Sequence, residues 1–268
     1  MPPRPRPYLR LLVAGVREGA TYRLAALGGL VANVTFGFLK VAMLFATVRA
    51  AGGELNGYDL ATMSTYIWLS QGLLGAINLH GRSDLATRIK DGSVAIDFIR
   101  PLDVQAAAIM QEVGRSLWSL VPRGIPSVLI GALAVGMAMP DSPGAYVLGA
   151  ASLLVGITLG ATVVYLVATT GFWLVETRGI QVLYMVVSGF LAGLFVPIAI
   201  FPTWLQVVAQ ATPFPSMMMY PIDILSGRVT GLASLGLFAA QLAWLAAAWA
   251  AGHLATRAGR RKLEVQGG

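Results

Sequence analysis

Six stretches of this chain, residues 24–48, 60–79, 117–139, 146–175, 182–200 and 232–254, are long and mostly apolar. No other feature restricts the fold as tightly, because a helix crosses the hydrocarbon layer of a bilayer with about 20 apolar residues. Within lipid the backbone must satisfy its own hydrogen bonds, so spanning segments are helices or closed barrels. A barrel would show apolar residues at alternate positions, and these runs are continuous. The charge balance agrees: 12% of the 268 residues are charged, against about 25% in soluble domains. That excludes a water-soluble enzyme, a disordered chain and a coiled coil. The expected fold is an all-α integral membrane protein forming one domain over residues 1–268. It divides into a leading segment (1–23), a six-span bundle (24–254) and a basic tail (255–268). The 31 glycines suit such a bundle, since small residues let helix backbones approach closely.

Lys and Arg orient the bundle. Arg4, Arg6, Arg10, Arg17 and Arg23 precede the first run. Arg82, Arg88, Lys90 and Arg100 follow the second, and Arg257, Arg260, Arg261 and Lys262 follow the sixth. The alternate connections hold only Arg49 and Arg228. The positive-inside rule then puts both termini in the cytoplasm. The first 23 residues do not read as a cleavable signal, because the following apolar run is too long and lacks a small-residue cleavage site. Leu9, Leu12, Val13 and Val16 fall on one helical face, with Arg10, Arg17 and Glu18 on another. This predicts an amphipathic helix in the cytoplasmic interface, starting near Pro7, with a basic arm over residues 1–7 as the simpler alternative.

Two connections are unusual. Residues 80–105 mix near-balanced charges with Leu85, Ile89, Val94, Ile96, Phe98 and Ile99, punctuated by Gly92 and Pro101. The spacing predicts a short surface helix with an Asp84–Arg88 pair at i, i+4, a glycine turn, and an extended apolar strip ending at Arg100–Pro101. Such an element suits docking of a cytoplasmic partner; a helix resting on lipid headgroups is the plain alternative. Residues 201–230 carry Pro202, Pro213, Pro215 and Pro221, which forbid one continuous helix. Yet Trp204, Leu205, Val207, Val208, Phe214 and Met217 to Met219 are too apolar for a solvated loop. Short helices re-entering the outer leaflet satisfy both facts, with Trp204 and Tyr220 suited to the aromatic belt.

Enzymatic chemistry is not evident. The chain has no phosphate-binding G-x-x-x-x-G-K-[ST] loop and no Cys. His80 and His253 sit at opposite ends of the sequence, so no metal site is expected. Ser188–Gly189 lacks both a nucleophile motif and a mid-membrane base. Inside the runs the notable groups are polar. Asn33, Gly37, Lys40 and Thr47 share a face of the first, with Lys40 roughly 12 Å from its outer end. Ser64, Trp68, Gln71, Gly75 and Asn78 form a stripe on the second, and Thr158, Thr162, Tyr165 and Thr169 another on the fourth. Such stripes line a path or join helices by hydrogen bonds, and snorkelling to the interface is the alternative for Lys40. No carboxylate lies mid-span to bind a coupling ion, which points to an external energy source.

Residues 89–93 (IKDGS) followed by 98–102 (FIRPL), Pro213–Phe214 with Tyr220–Pro221, and the tail from Arg260–Arg261–Lys262 to residues 265–268 (VQGG) complete a pattern with this topology. The whole resembles the permease subunit of an ABC transporter of the type-2 (ABC-2) exporter superfamily. The resemblance implies a permease that pairs with a copy of itself or a related chain and docks two copies of a separate ATPase. ATP and magnesium would sit on that ATPase, with no cofactor on this chain and no nucleic acid involved. It also implies a coupling helix at Asp84, Leu85, Arg88, Ile89, Lys90, Asp91, Gly92 and Ser93, with Arg100 and Pro101 closing the connection. The path would run beside Asn33, Lys40, Trp68, Gln71, Asn78, Tyr184 and Ser188, and the location would be the bacterial cytoplasmic membrane. The outer loops other than the fifth are shorter than in large lipid- and drug-exporting relatives. Two other readings remain: an ATP-independent carrier or channel using Lys40 and the polar stripes, and a membrane scaffold recruiting a partner through residues 80–105.

Overall fold

The computed structural model describes residues 5–140, 142–174 and 176–266. Expectations touching Arg4, the rest of residues 1–4, residue 175 at the end of the fourth run, and Gly267–Gly268 lie outside the described residues. The described chain is helical, with one isolated β-bridge, Leu55 to Tyr58.

Helix α1 (Pro5–Thr21) is the expected amphipathic helix, but it does not simply rest on an interface. It lies along α6 (Val104–Ser119), where Gly15 and Gly114 let the backbones touch: a Cβ at Gly15 would strike the Gln111 carbonyl, and one at Gly114 the Leu12 carbonyl. Helix α2 (Arg23–Ala50) is the first long apolar helix. Helix α3 (Leu60–Leu73) opens on a reciprocal cap, Asp59 with Thr62, and is buried on every side from Met63 to Trp68. A helix apolar all round belongs in a core, and α2 and α7 (Ile125–Ala134) flank it.

Among the described residues, four helices are long and apolar enough to cross a membrane: Leu24–Ala50, Val104–Ala134, Pro143–Phe172 and Gly231–Lys262. The second and fifth of the six expected runs hold shorter helices. The second contains only the 14 residues of α3, after which residues 74–83 run irregularly, with Ala76, Ile77 and Leu79 buried. The fifth contains the 14 residues of α9 (Arg178–Leu191). Each would be about 21 Å long, and counting apolar residues did not show where the helices stop. The third run is displaced. Its helix begins at Val104, capped by the Asp103 carboxylate, which accepts from the Ala106 N–H at 2.7 Å, and ends at Ala134. Within that rod Pro122 lacks a donor and would clash with the preceding turn; a π turn, Leu120–Gly124, absorbs the mismatch.

Helix α8 (Pro143–Thr169) forms the spine. The outer connection folds into α10 (Thr203–Gln210), α11 (Phe214–Met217) and α12 (Met219–Leu225), which return against α8 as the proline pattern required. Gly149 faces Leu225, Gly156 faces Met217 and Pro221, and Gly160 faces Met217, so α11 and α12 run antiparallel to α8 and reach its middle. Met217, Met218 and Met219 are buried there, whereas Trp204 is exposed. The last helix, α13 (Gly231–Gln266), continues without a break through most of the expected tail. On α8 the Thr158, Thr162 and Thr169 hydroxyls bond to their own helix, and only Tyr165 reaches α13, at Thr256 (2.6 Å).

Candidate functional site

Helix α4 (Asp84–Lys90) is the expected surface helix of the 80–105 connection. The Ser83 hydroxyl accepts from the Leu85 N–H at 3.2 Å, Asp84 occupies the first turn, and Arg88 and Lys90 the last. That charge order favours the helix dipole at both ends. Leu85, Ala86 and Ile89 face inward, Ile89 against Gly171, while Thr87, Lys90, Asp91 and Gly92 face outward. Gly92 turns the chain at φ +79°, a region costly for residues with a side chain. The Asp91 carboxylate accepts from the Ser93 hydroxyl (2.6 Å) and N–H (2.9 Å), which hold it below its ordinary pKa.

Two local expectations fail. Residues 94–99 form a helix, α5 (Val94–Ile99), rather than an extended strip; Phe98 packs near Phe172, and Arg260 lies over its ring. Asp84 and Arg88 do not pair with each other. Arg88 pairs with Asp97 at 3.2 Å, and Asp97 also holds Arg100 at 3.4 Å. Arg100 is extended, as a residue before proline must be, and Pro101 is exposed.

Asp84 pairs instead with Arg115 of α6, at 2.5 Å. Arg115 also holds Glu18 of α1 at 2.9 Å and Glu112 of its own helix at 2.7 Å. Glu112 accepts from the Asn78 amide at 2.9 Å. Asn78 also donates to the Arg82 carbonyl and accepts from the His80 and Gly81 N–H groups; its own carbonyl accepts from the Tyr184 hydroxyl at 2.9 Å. Ser188 donates to the Leu79 carbonyl at 3.2 Å. One polar mesh thus joins α1, α4, α6, α9 and the irregular end of α3. Lys90 adds a second tie to α9's approach, pairing with Glu176 at 2.8 Å. The Lys90 amine is the main reason the Glu176 carboxyl stays below its ordinary range.

The path candidates therefore occupy two places. Asn78, Tyr184 and Ser188 belong to the Arg115 mesh. Asn33, Lys40, Trp68 and Gln71 lie where α2 meets α3. Asn33 donates to the Gln71 carbonyl at 2.8 Å, and Trp68 fills the space left by Gly37 and Gly131. Lys40 bonds the Leu194 carbonyl and approaches Ser70 Oγ at 3.5 Å and the Tyr66 ring. The Tyr66 hydroxyl donates to the Gly193 carbonyl at 2.6 Å. These donors meet at the end of α9, where Gly193 at φ +76° terminates the helix and leaves carbonyls without intrahelical partners. Thr47, grouped with them by spacing, is exposed and bonds its own helix.

Sequence reasoning missed several groups. Arg115 was legible as E-x-x-R on a helical stretch, Glu112–Arg115. Arg123 stands in an apolar run between Pro122 and Pro126. Gln241 of α13, fully buried, joins Ser152 and the Ser216 carbonyl (2.6 and 2.7 Å), tying α13 to α8 and α11. Asp223 of α12 pairs with Arg228 at 2.7 Å.

Residues 32–267, which include the α4 segment, both short helices and the re-entrant outer segment, match the family described as ABC-2 family transporter protein. The chain belongs to that family. It is a membrane protein of the ABC-2 transporters, and the match reaches across every element except α1 and the start of α2. No curated protein matches the chain.

Proposed function

We propose that this chain is the permease subunit of an ATP-driven ABC exporter in a bacterial cytoplasmic membrane. It crosses the membrane six times with both termini inside; α3 and α9 complete their crossings through the buried irregular residues that follow them. Two permease subunits form the substrate path, and two ATPase subunits, carrying ATP and magnesium, dock below. The observation that carries this reading is the setting of α4. Its inner face is gripped through Asp84 by the Arg115 mesh, while Thr87, Lys90, Asp91 and Gly92 stay open to a partner. Beside that open edge lies a cleft of about 460 Å³, bounded by Arg82, Lys90, Glu176 and Gln181. A push on α4 would pass through Asp84 and Arg115 to α1 and α6, and through Lys90 and Glu176 to α9. A self-powered carrier centred on Lys40 draws less support, because that ammonium is engaged by the end of α9.

The test is Lys90→Ala with Asp91→Ala in the full chain, purified from native membranes with its ATPase. Loss of the ATPase together with loss of export is the expected result. Export that survives loss of the ATPase would favour a self-powered carrier, and loss of a partner with no flux to lose would favour a scaffold.

A further inference from the structure

Arg123 is a cation within a membrane-crossing helix that the coupling mechanism does not use. It sits in the π turn of the third long helix, and its guanidinium lies between α2 and the end of α3. A Cβ at Gly29 would strike that guanidinium, and one at Gly75 would lie 3.5 Å from it, so these two glycines form its cradle. Just beyond, the Asn33 bond to the Gln71 carbonyl fastens α2 to α3 and fixes the walls of the slot. The Arg123 guanidinium makes no ion pair or hydrogen bond with any described residue. Its Nε is enclosed, whereas its Nη groups are not. Glu18, Asp84 and Glu112 are all committed to Arg115. The same stretches of α2 and the rod carry exposed apolar side chains: Leu24, Leu27 and Val31 on α2, Val121 and Ile125 on the rod. Burial first, and then Arg82 and Arg123, hold the His80 imidazole beside the slot below its ordinary pKa.

A guanidinium withdrawn from water without a counter-ion is costly, and Arg is suited to planar, two-point recognition of phosphate or carboxylate. We propose that this slot binds the anionic head, phosphate or carboxylate, of an amphiphile whose apolar body lies along α2 and the π turn. The source is either an anionic phospholipid or an anionic amphiphilic cargo. The site exists independently of the exporter reading, which supplies only its assignment to the cytoplasmic leaflet.

The experiment uses the full chain in a neutral maltoside detergent, with native mass spectrometry counting retained phosphatidylglycerol against phosphatidylcholine, and dodecyl phosphate as a competing single-chain anion. The intact protein should prefer phosphatidylglycerol at least tenfold; Arg123→Gln should abolish the preference, and Arg123→Lys should keep part of it. Displacement of phosphatidylglycerol by dodecyl phosphate identifies a lipid-occupied site. Arg123-dependent binding of dodecyl phosphate without lipid preference identifies a cargo-type site. An unchanged preference in Arg123→Gln, or no anion binding at all, overturns the proposal. Should Arg123→Gln not fold, the intact chain still decides. It has two histidines, and His253→Gln assigns their NMR signals. Dodecyl phosphate should raise the apparent pKa of His80, and an unmoved titration overturns the site. None of these readouts needs an ATPase or flux, so this proposal and the exporter reading fail separately.

Discussion

At the α4 end of the bundle one guanidinium, Arg115, is shared by carboxylates from three helices, each at least partly exposed. At the opposite end, where α12 meets the start of α8, a single pair, Asp223 with Arg228, joins residues five positions apart, and Asp223 is 5% exposed. Arg228 also lies over the Tyr58 ring at 5.1 Å, and the Asp223 carbonyl accepts from Val229, so this pair closes its own turn. The neighbouring contacts differ in the same way. Met217 to Met219 are packed against a glycine face of α8. By contrast, α4 and α5 are two short helices with much of their surface exposed. A buried, locally closed pair fixes geometry, because losing either partner strands a charge. A half-exposed mesh shared among several elements can exchange partners at modest cost. The end bearing Asp223 is built to hold, and the end bearing Arg115 is free to exchange partners.

The largest effect should follow Asp223→Ala, which leaves Arg228 without its counter-charge. It is expected to cost about 3–5 kcal/mol, read as a lowered denaturation midpoint in detergent, with the double variant Asp223→Leu and Arg228→Met recovering much of it. A loss under about 1 kcal/mol would erase the contrast. Next comes Arg115→Gln. Its stability cost should be only about 1 kcal/mol, as for a partly solvated network, while ATP hydrolysis in the assembled transporter becomes independent of export. A cost matching that of Asp223→Ala would show the Arg115 end to be equally rigid. The smallest effect belongs to Lys90 and Glu176, both exposed. The Glu176 carboxyl is held below its ordinary range, so whatever the pair contributes is present above that range and lost as pH falls through the depressed value. Glu176→Gln should therefore lower the melting temperature only slightly, and by the same amount throughout about pH 6 to 8. A pH-dependent midpoint in that window for the intact chain, removed by Glu176→Gln, would contradict the assignment.

Much of this architecture was readable because it is local. Four long helices, the amphipathic α1, the α4 helix with its glycine turn and the proline-broken outer segment all follow from spacing within a few turns. The failures have physical causes as well. Val94, Ile96 and Phe98 alternate like a strand, yet form a helix because Phe98 finds the Phe172 ring and Asp97 gathers Arg88 and Arg100. The Asp84–Arg88 spacing permits a pair, but Arg115, 31 residues away, takes Asp84 instead. Lys40 stood out as an expensive charge, and nothing in its own helix announced that α9 would end beside it.

By itself the sequence determined that the chain is helical, that it belongs in a membrane, and which family it joins. Those properties rest on apolar run length, charge placement and short-range periodicity, each of which a linear chain displays directly. Only the tertiary structure decided where α3 and α9 stop, which carboxylates Arg115 collects, and that Lys40 is answered by a carbonyl while Arg123 is left unanswered. Partner choice between helices depends on how close two backbones can come. Here glycines at positions 15, 29, 75, 114 and 156 set that approach, and their partners lie tens of residues away, where no spacing rule reaches.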